Sequence, residues 1–288
     1  MSAIYCREVR SHFTTMTGWL FGAFILLFGG IYTMALCLNG SYAEFEYVLG
    51  NMSFVYLIVT PILTMRVLAD ERRQKTDQLL YALPMSMTKI VLGKYFALLT
   101  VLAVPIAVMG LYPLILSAYG NVNLAAAYAS LLAFFLLGAA LAAVGMYISS
   151  VTDSIVASAA ICFVAVLVNY YLASLAGYAP SSSTSALAAL YFLSALAAAV
   201  LLHLTQNPAA GLAALAVCAG GVTAAWFLAR DAFEGLLPAL FEKLCLFEAF
   251  MSFMDGVFDW TAICLLVSAA AVFVLLTVQS MEKRRWSA

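Results

Sequence analysis

The sequence predicts an all-α protein: a polytopic bundle of about eight transmembrane helices with both termini cytoplasmic. Three observations carry that expectation. Of 288 residues, 66% are hydrophobic and 9% charged, and the mean hydropathy is +1.04, whereas a soluble domain is about 45–50% apolar and about 25% charged. Charge-free stretches recur at lengths near the roughly 20 residues that a helix needs to cross about 30 Å of hydrocarbon. Lysine and arginine also gather on alternate loops, as they do on the cytoplasmic face of membrane proteins. So large an apolar excess cannot be hidden in a globule whose surface must be wetted. The net charge of −1 says little, because its distribution matters more than its sum.

The first span is predicted at about 17–38, after Arg7 and Arg10. That run is too long for a signal-peptide core, and Leu36 precedes Cys37 where a lipoprotein site wants a small residue. It reads as a retained helix. A polar loop with Glu44 and Glu46 leads to a second span at about 49–67. Tyr119-Gly-Asn-Val-Asn123 then separates spans near 95–118 and 124–149. Ser149 to Ser154 forms a short polar break before a span near 155–177. The breaks at 180–185 and 205–208 mark an alanine-rich pair at about 186–204 and 210–228, either crossing or re-entrant. The last span lies near 260–280, ahead of Glu282-Lys-Arg-Arg-Trp286.

With the N-terminus inside, Arg7, Arg10, Arg66, Arg72, Arg73, Lys75, Lys89, Lys94, Lys283, Arg284 and Arg285 are cytoplasmic, and only Arg230 and Lys243 are external. The opposite orientation would invert this bias. The 230–259 segment is therefore expected outside. There Leu237, Leu240, Phe241, Leu244, Phe247, Met251 and Met254 recur at helical steps. That amphipathic pattern suits a helix in the outer interface, or else a lid or packing element.

Several chemistries have no sequence support. There is no phosphate-binding glycine loop, zinc-protease motif or nucleophile elbow. The six cysteines show no CxxC or Cys/His metal spacing and read as buried small side chains. Of the two histidines, His203 at the end of an apolar run suits a polar helix tip. Metal, cofactor and nucleic-acid sites are not expected. The predicted spans hold almost no ionisable residues, which argues against an ion-coupled transporter. Energy for uphill movement would have to come from elsewhere.

The anomaly is residues 65–87, MRVLADERRQKTDQLLYALPMSM, where seven charges crowd positions 66–77. Thr76 suits a helix N-cap, and Asp77 suits the positive helix end. Leu79, Leu80 and Leu83 then share one face, and Pro84 ends the turn. Ser86 or Thr88 suits the next cap, and Lys89 and Lys94 mark the inner end of the third span. The short helix over 76–83, inside the 66–94 loop, has no core of its own. It reads either as a loop lying on headgroups or as a docking element for a cytoplasmic partner.

Glu71, Lys75-Thr-Asp-Gln-Leu-Leu80, Pro84 and Ile90-Val-Leu-Gly-Lys94 resemble the signature of ABC-2-type exporter permeases, more narrowly the gliding-motility and copper-processing branch. Lys75 and Asp77 depart from that pattern, where the family often has glycine and glutamate. Gly145–Ser154 resembles the family's short cytoplasmic loop, and Phe258-Asp-Trp260 with the basic tail resembles its ending. The likeness covers roughly 1–177 and 230–286. The 186–228 hairpin is extra to the six-span family core.

The resemblance implies one permease domain over 1–288, a multi-pass protein of the bacterial plasma membrane without ATPase activity. Its expected partners are a separate cytoplasmic ATP-binding subunit that carries ATP and magnesium, a second permease copy or homologue, and the bilayer. It further implies coupling to the ATPase through Glu71, Thr76, Asp77, Leu79, Leu80, Leu83 and Pro84, and an amphipathic elbow helix around Arg7 and Arg10. The alternative is a membrane assembly protein that never transports. Gly138, Ala142 and Gly145 fit close helix packing and do not choose a substrate among lipids, peptides and drugs.

Overall fold

The computed structural model describes residues 2–40, 44–74, 86–178 and 235–287, with isolated positions at 187, 190, 191, 220 and 223. Every regular element among them is helical. Helix α1 (Ser2–Thr14) turns at Thr15 into α2 (Met16–Tyr32), which continues as a π-helix over Thr33–Asn39. Next come α3 (Phe45–Met52), α4 (Val55–Thr64) and α5 (Ala69–Arg73). Beyond residue 86 lie α6 (Met87–Met109), α7 (Leu111–Ser117), α8 (Leu124–Val151) and α9 (Ile155–Tyr178). The C-terminal part holds α10 (Leu236–Leu244), α11 (Leu246–Met251), a 3₁₀ turn at Ser252–Asp255 and α12 (Trp260–Ser287).

Five of these stretches are long and apolar enough to cross a membrane: Met16–Asn39, Met87–Ser117, Leu124–Val151, Ile155–Tyr178 and Trp260–Arg285. The predicted second span is a pair of helices bent by 59°, Phe45–Met52 and Val55–Arg73, which makes a sixth if taken as one. The predicted spans at 186–204 and 210–228 lie outside the described residues. The third span begins at Met87, eight residues before the first charge-free position. Charge counting placed it too late because Lys94 is neutralised inside the helix.

The chain divides into two compact units, residues 1–170 with 246–288, and residues 171–245. The described part of the second includes α10, which starts after Gly235 in the left-handed region at φ +74° and leaves Leu244 exposed.

In the first unit α8 is central. Asn123 caps it, its side chain accepting from the Ala126 amide, so the predicted turn is also a helix start. α8 packs against α12, α4 and α6. The Tyr56 hydroxyl donates to the Phe134 carbonyl (3.0 Å) and the Tyr95 hydroxyl to the Ala139 carbonyl (3.1 Å). Small residues permit this closeness. A Cβ on Gly138 would lie 2.6 Å from the Tyr56 hydroxyl, and one on Gly145 would collide with Thr64. Gly138 and Gly145 are thus contact points between α8 and α4.

The continuous amphipathic helix expected over 237–254 is broken. Cys245 is extended (φ −78°, ψ 108°), and Asn169 Oδ1 accepts from the Leu246 amide at 3.1 Å to start α11. The buried face of 246–255 is Phe247, Phe250 and Phe253 rather than Phe247, Met251 and Met254. The Phe253 carbonyl accepts from Ser130 of α8 (3.1 Å), and Met254 abuts Gly50 of α3. This half is a packing element. It meets α8 about 28 Å along the axis from Ser149, close to the roughly 30 Å of a hydrocarbon layer.

Candidate coupling site

Glu71 is the one predicted coupling residue that the structure describes. Thr76, Asp77, Leu79, Leu80, Leu83 and Pro84, and with them the helix expected over 76–83, lie outside the described residues. What can be built is the arm that leads into the segment, α5, and the helix that leaves it, α6.

The chain leaves α4 through a turn at Met65–Leu68. Ser149 of α8 holds the start of α5: its Oγ accepts from the amides of Leu68 (3.1 Å) and Ala69 (3.0 Å). A hydroxyl from another helix thus satisfies first-turn donors that no local side chain caps.

On one side of α5, Glu71 Oε1 accepts from Lys94 Nζ (2.8 Å) and Arg7 Nη2 (3.3 Å). Glu8 Oε1 accepts from the same two cations, at 3.2 Å from Lys94 and 2.8 Å from Arg7. Lys94 also donates to the Val67 carbonyl at 2.9 Å. Its side chain is 1% exposed. A buried ammonium needs such partners, because an unpaired charge away from water is very costly. The cluster ties α1, α5 and α6 together. Burial alone would raise the Glu8 carboxyl, but Lys94 and Arg7 together hold it below the ordinary glutamate value. One turn on, burial pushes His12 down despite the opposing pull of Glu8.

On the other side, Arg72 donates to the Thr152 carbonyl (3.1 Å) and to Asp153 Oδ1 (3.4 Å). Arg284, at the end of α12, donates to the same Asp153 oxygen (3.0 Å) and to the Val151 carbonyl (2.8 Å). The hydrogen bond from Arg284, aided by Arg72, holds the Asp153 carboxyl low. Both chain ends, the 66–74 arm and the Asp153 turn therefore share one end of the bundle.

A family model described as ABC-2 family transporter protein matches residues 12–205, more than half of the chain. The chain belongs to the ABC-2 transporter family. Comparison with curated proteins and with solved structures gives no match. As an ABC-2 permease it is a multi-pass membrane protein, a transport subunit rather than an enzyme. The matched region carries Glu71, Arg72, Lys94 and Asp153, while Arg7, Glu8 and Arg284 lie beyond its ends.

Charge counting placed Lys94 as a boundary marker and missed the cluster. One signal was available. Glu8 is the sole acid before Glu44, and Asp153 is the sole acid between Asp77 and Asp231. Lone acids on an otherwise basic side are candidates for ion pairs, and both prove to be hubs.

Proposed function

We propose that this ABC-2 permease exports a substrate using ATP hydrolysed by a separate cytoplasmic subunit, which docks on the 76–83 segment of the 66–94 loop. The observation that carries the reading is the two-sided anchoring of α5. Glu71 ties it to α1 and α6, and Arg72 ties it to the Asp153 turn and α12. A push delivered to the adjoining segment would reach the inner ends of several spans at once. Thr76, Asp77, Leu79, Leu80, Leu83 and Pro84 would form the docking helix, its leucines seated on the ATPase. ATP and magnesium belong to that subunit, and a second permease copy or homologue would complete the pathway. The lysine and arginine bias supports cytoplasmic termini in a bacterial plasma membrane. The resemblance of the motifs at 71–94 to the gliding-motility and copper-processing branch supports that narrower reading.

Co-purification of an ABC ATPase subunit co-expressed with the permease is the test. Leu80→Glu with Leu83→Glu should abolish its capture while the permease still folds. Unchanged capture would overturn the docking assignment. An ATPase whose activity is indifferent to the permease would favour the non-transporting alternative.

A further inference from the structure

An open groove of about 670 Å³ runs between α1 and α6, with Phe135 of α8 at its side. That size is ordinary for a small-molecule site, about 300–1,000 Å³. Gly93, Phe96, Thr100 and Ala103 form its wall on α6, and Tyr5 contributes from α1. Of the three hydroxyls in the lining, those of Ser2, Tyr5 and Thr100, the last two bond each other at 2.8 Å. The remaining lining is mostly apolar and suits a hydrocarbon chain.

A cation lies on the same stripe of α6, one turn before the groove's wall begins. Steps of four, seven, eleven and fourteen residues from Lys89 reach Gly93, Phe96, Thr100 and Ala103, and on a helix these fall within about 40° to either side of Lys89. Lys89 is exposed on that stripe, and its side chain has no ion-pair partner among the described residues. It lies in the first turn of α6, whose positive end favours anions. Ser86, in the N-cap position, makes no side-chain cap bond; the Lys89 amide donates to the Ser86 carbonyl at 3.0 Å, which leaves the amides of Met87 and Thr88 as the first-turn donors beside the lysine. From Gly93 to Ala103 is about 15 Å along the axis, half of a hydrocarbon layer of about 30 Å. A cation at headgroup level above one leaflet's depth of apolar wall matches a single ligand chemistry.

We propose that this groove binds one anionic phospholipid, with the phosphate at Lys89 and an acyl chain along Gly93–Ala103. The site is separate from the Lys94 cluster, because Lys94 faces inward and is occupied by Glu8 and Glu71. It does not depend on the identity of the transported substrate.

Native mass spectrometry of the full chain in non-ionic detergent, titrated with phosphatidylglycerol or phosphatidylcholine, tests it. The unsubstituted protein should retain one phosphatidylglycerol about fivefold more tightly than phosphatidylcholine, the effect of one lysine near an anionic surface. Lys89→Glu should erase that preference and leave phosphatidylcholine retention unchanged, while Lys89→Arg keeps the preference. Ala103→Trp should lose both lipids. Inorganic phosphate should displace neither, since the chain supplies most of the contact. Equal retention of the two lipids by the unsubstituted protein, or a surviving preference in Lys89→Glu, would overturn the proposal. So would full retention by Ala103→Trp. If that variant fails to fold, the two Lys89 variants decide alone.

Discussion

Lys94 donates to Glu71 over 2.8 Å from a side chain that is 1% exposed. The two residues stand on either side of the segment proposed to meet the ATPase, so the pair closes the base of that excursion. Breaking a buried pair by removing one partner typically costs about 3–5 kcal/mol, because the remaining charge is stranded. Lys94→Met should therefore lower the thermal midpoint in detergent sharply. Adding Glu71→Gln and Glu8→Gln should restore part of the loss, since the stranded charges go with them. A triple variant no more stable than the single one would show that the cluster's charges are not the cause.

Ser149→Ala removes the oxygen that receives the Leu68 and Ala69 amides. Loss of a helix cap costs about 1 kcal/mol. The midpoint should fall modestly, and amide exchange should accelerate at residues 68–73 while α8 stays protected. Exchange unchanged at those positions would mean that α5 does not need the hydroxyl.

Gly145→Leu should be far more damaging than Gly22→Leu. The first side chain would be driven into Thr64, whereas a Cβ at Gly22 meets nothing within 4 Å. Overpacking a tight contact costs about 1–3 kcal/mol. Expression level and thermal midpoint, measured on both variants in parallel, check the contrast.

Acidification should weaken the Lys94 end of the bundle in two stages. The folded state holds His12 below the ordinary value of 6.5, so the unfolded chain takes up the proton first as pH falls. Stability is full above about 6.5 and declines below it. Glu8 is held below 4.5, so its contribution is present above that value and is lost as pH falls through the lower folded one. Unfolding midpoints taken from pH 8 to pH 3 should show both declines, with His12→Gln flattening the upper one and Glu8→Gln the lower.

The membrane class, the order of most spans and the crowding of charge before residue 78 were legible because hydropathy and charge sign are local properties. The turn at Tyr119–Asn123 was legible from its glycine and asparagines, while the capping role of Asn123 came only with the structure. The start of the third span was not legible. Lys94 looks like an ending until its partners, more than twenty residues away at Glu71 and more than eighty at Glu8, are known. The break at Cys245 was hidden in the same way. Nothing local stops the helical pattern there, and it is the amide oxygen of Asn169, from another helix, that restarts the chain at Leu246. Periodicity therefore selected Met251 and Met254, whereas packing on α8 selected Phe250 and Phe253.

Two of the three serines of α8 give that helix a mechanical character. Ser130 grips the Phe253 carbonyl near one end, and Ser149 grips the Leu68 and Ala69 amides near the other. Between them the helix runs without proline or interruption, whereas α4 contains Pro61 and the third span breaks at Gly110. A stiff rod clamped at both ends does not absorb displacement; it passes it on. Any shift of the 66–74 arm would reappear, nearly undamped, under the phenylalanines of 246–255, while the kinked neighbours yield around it.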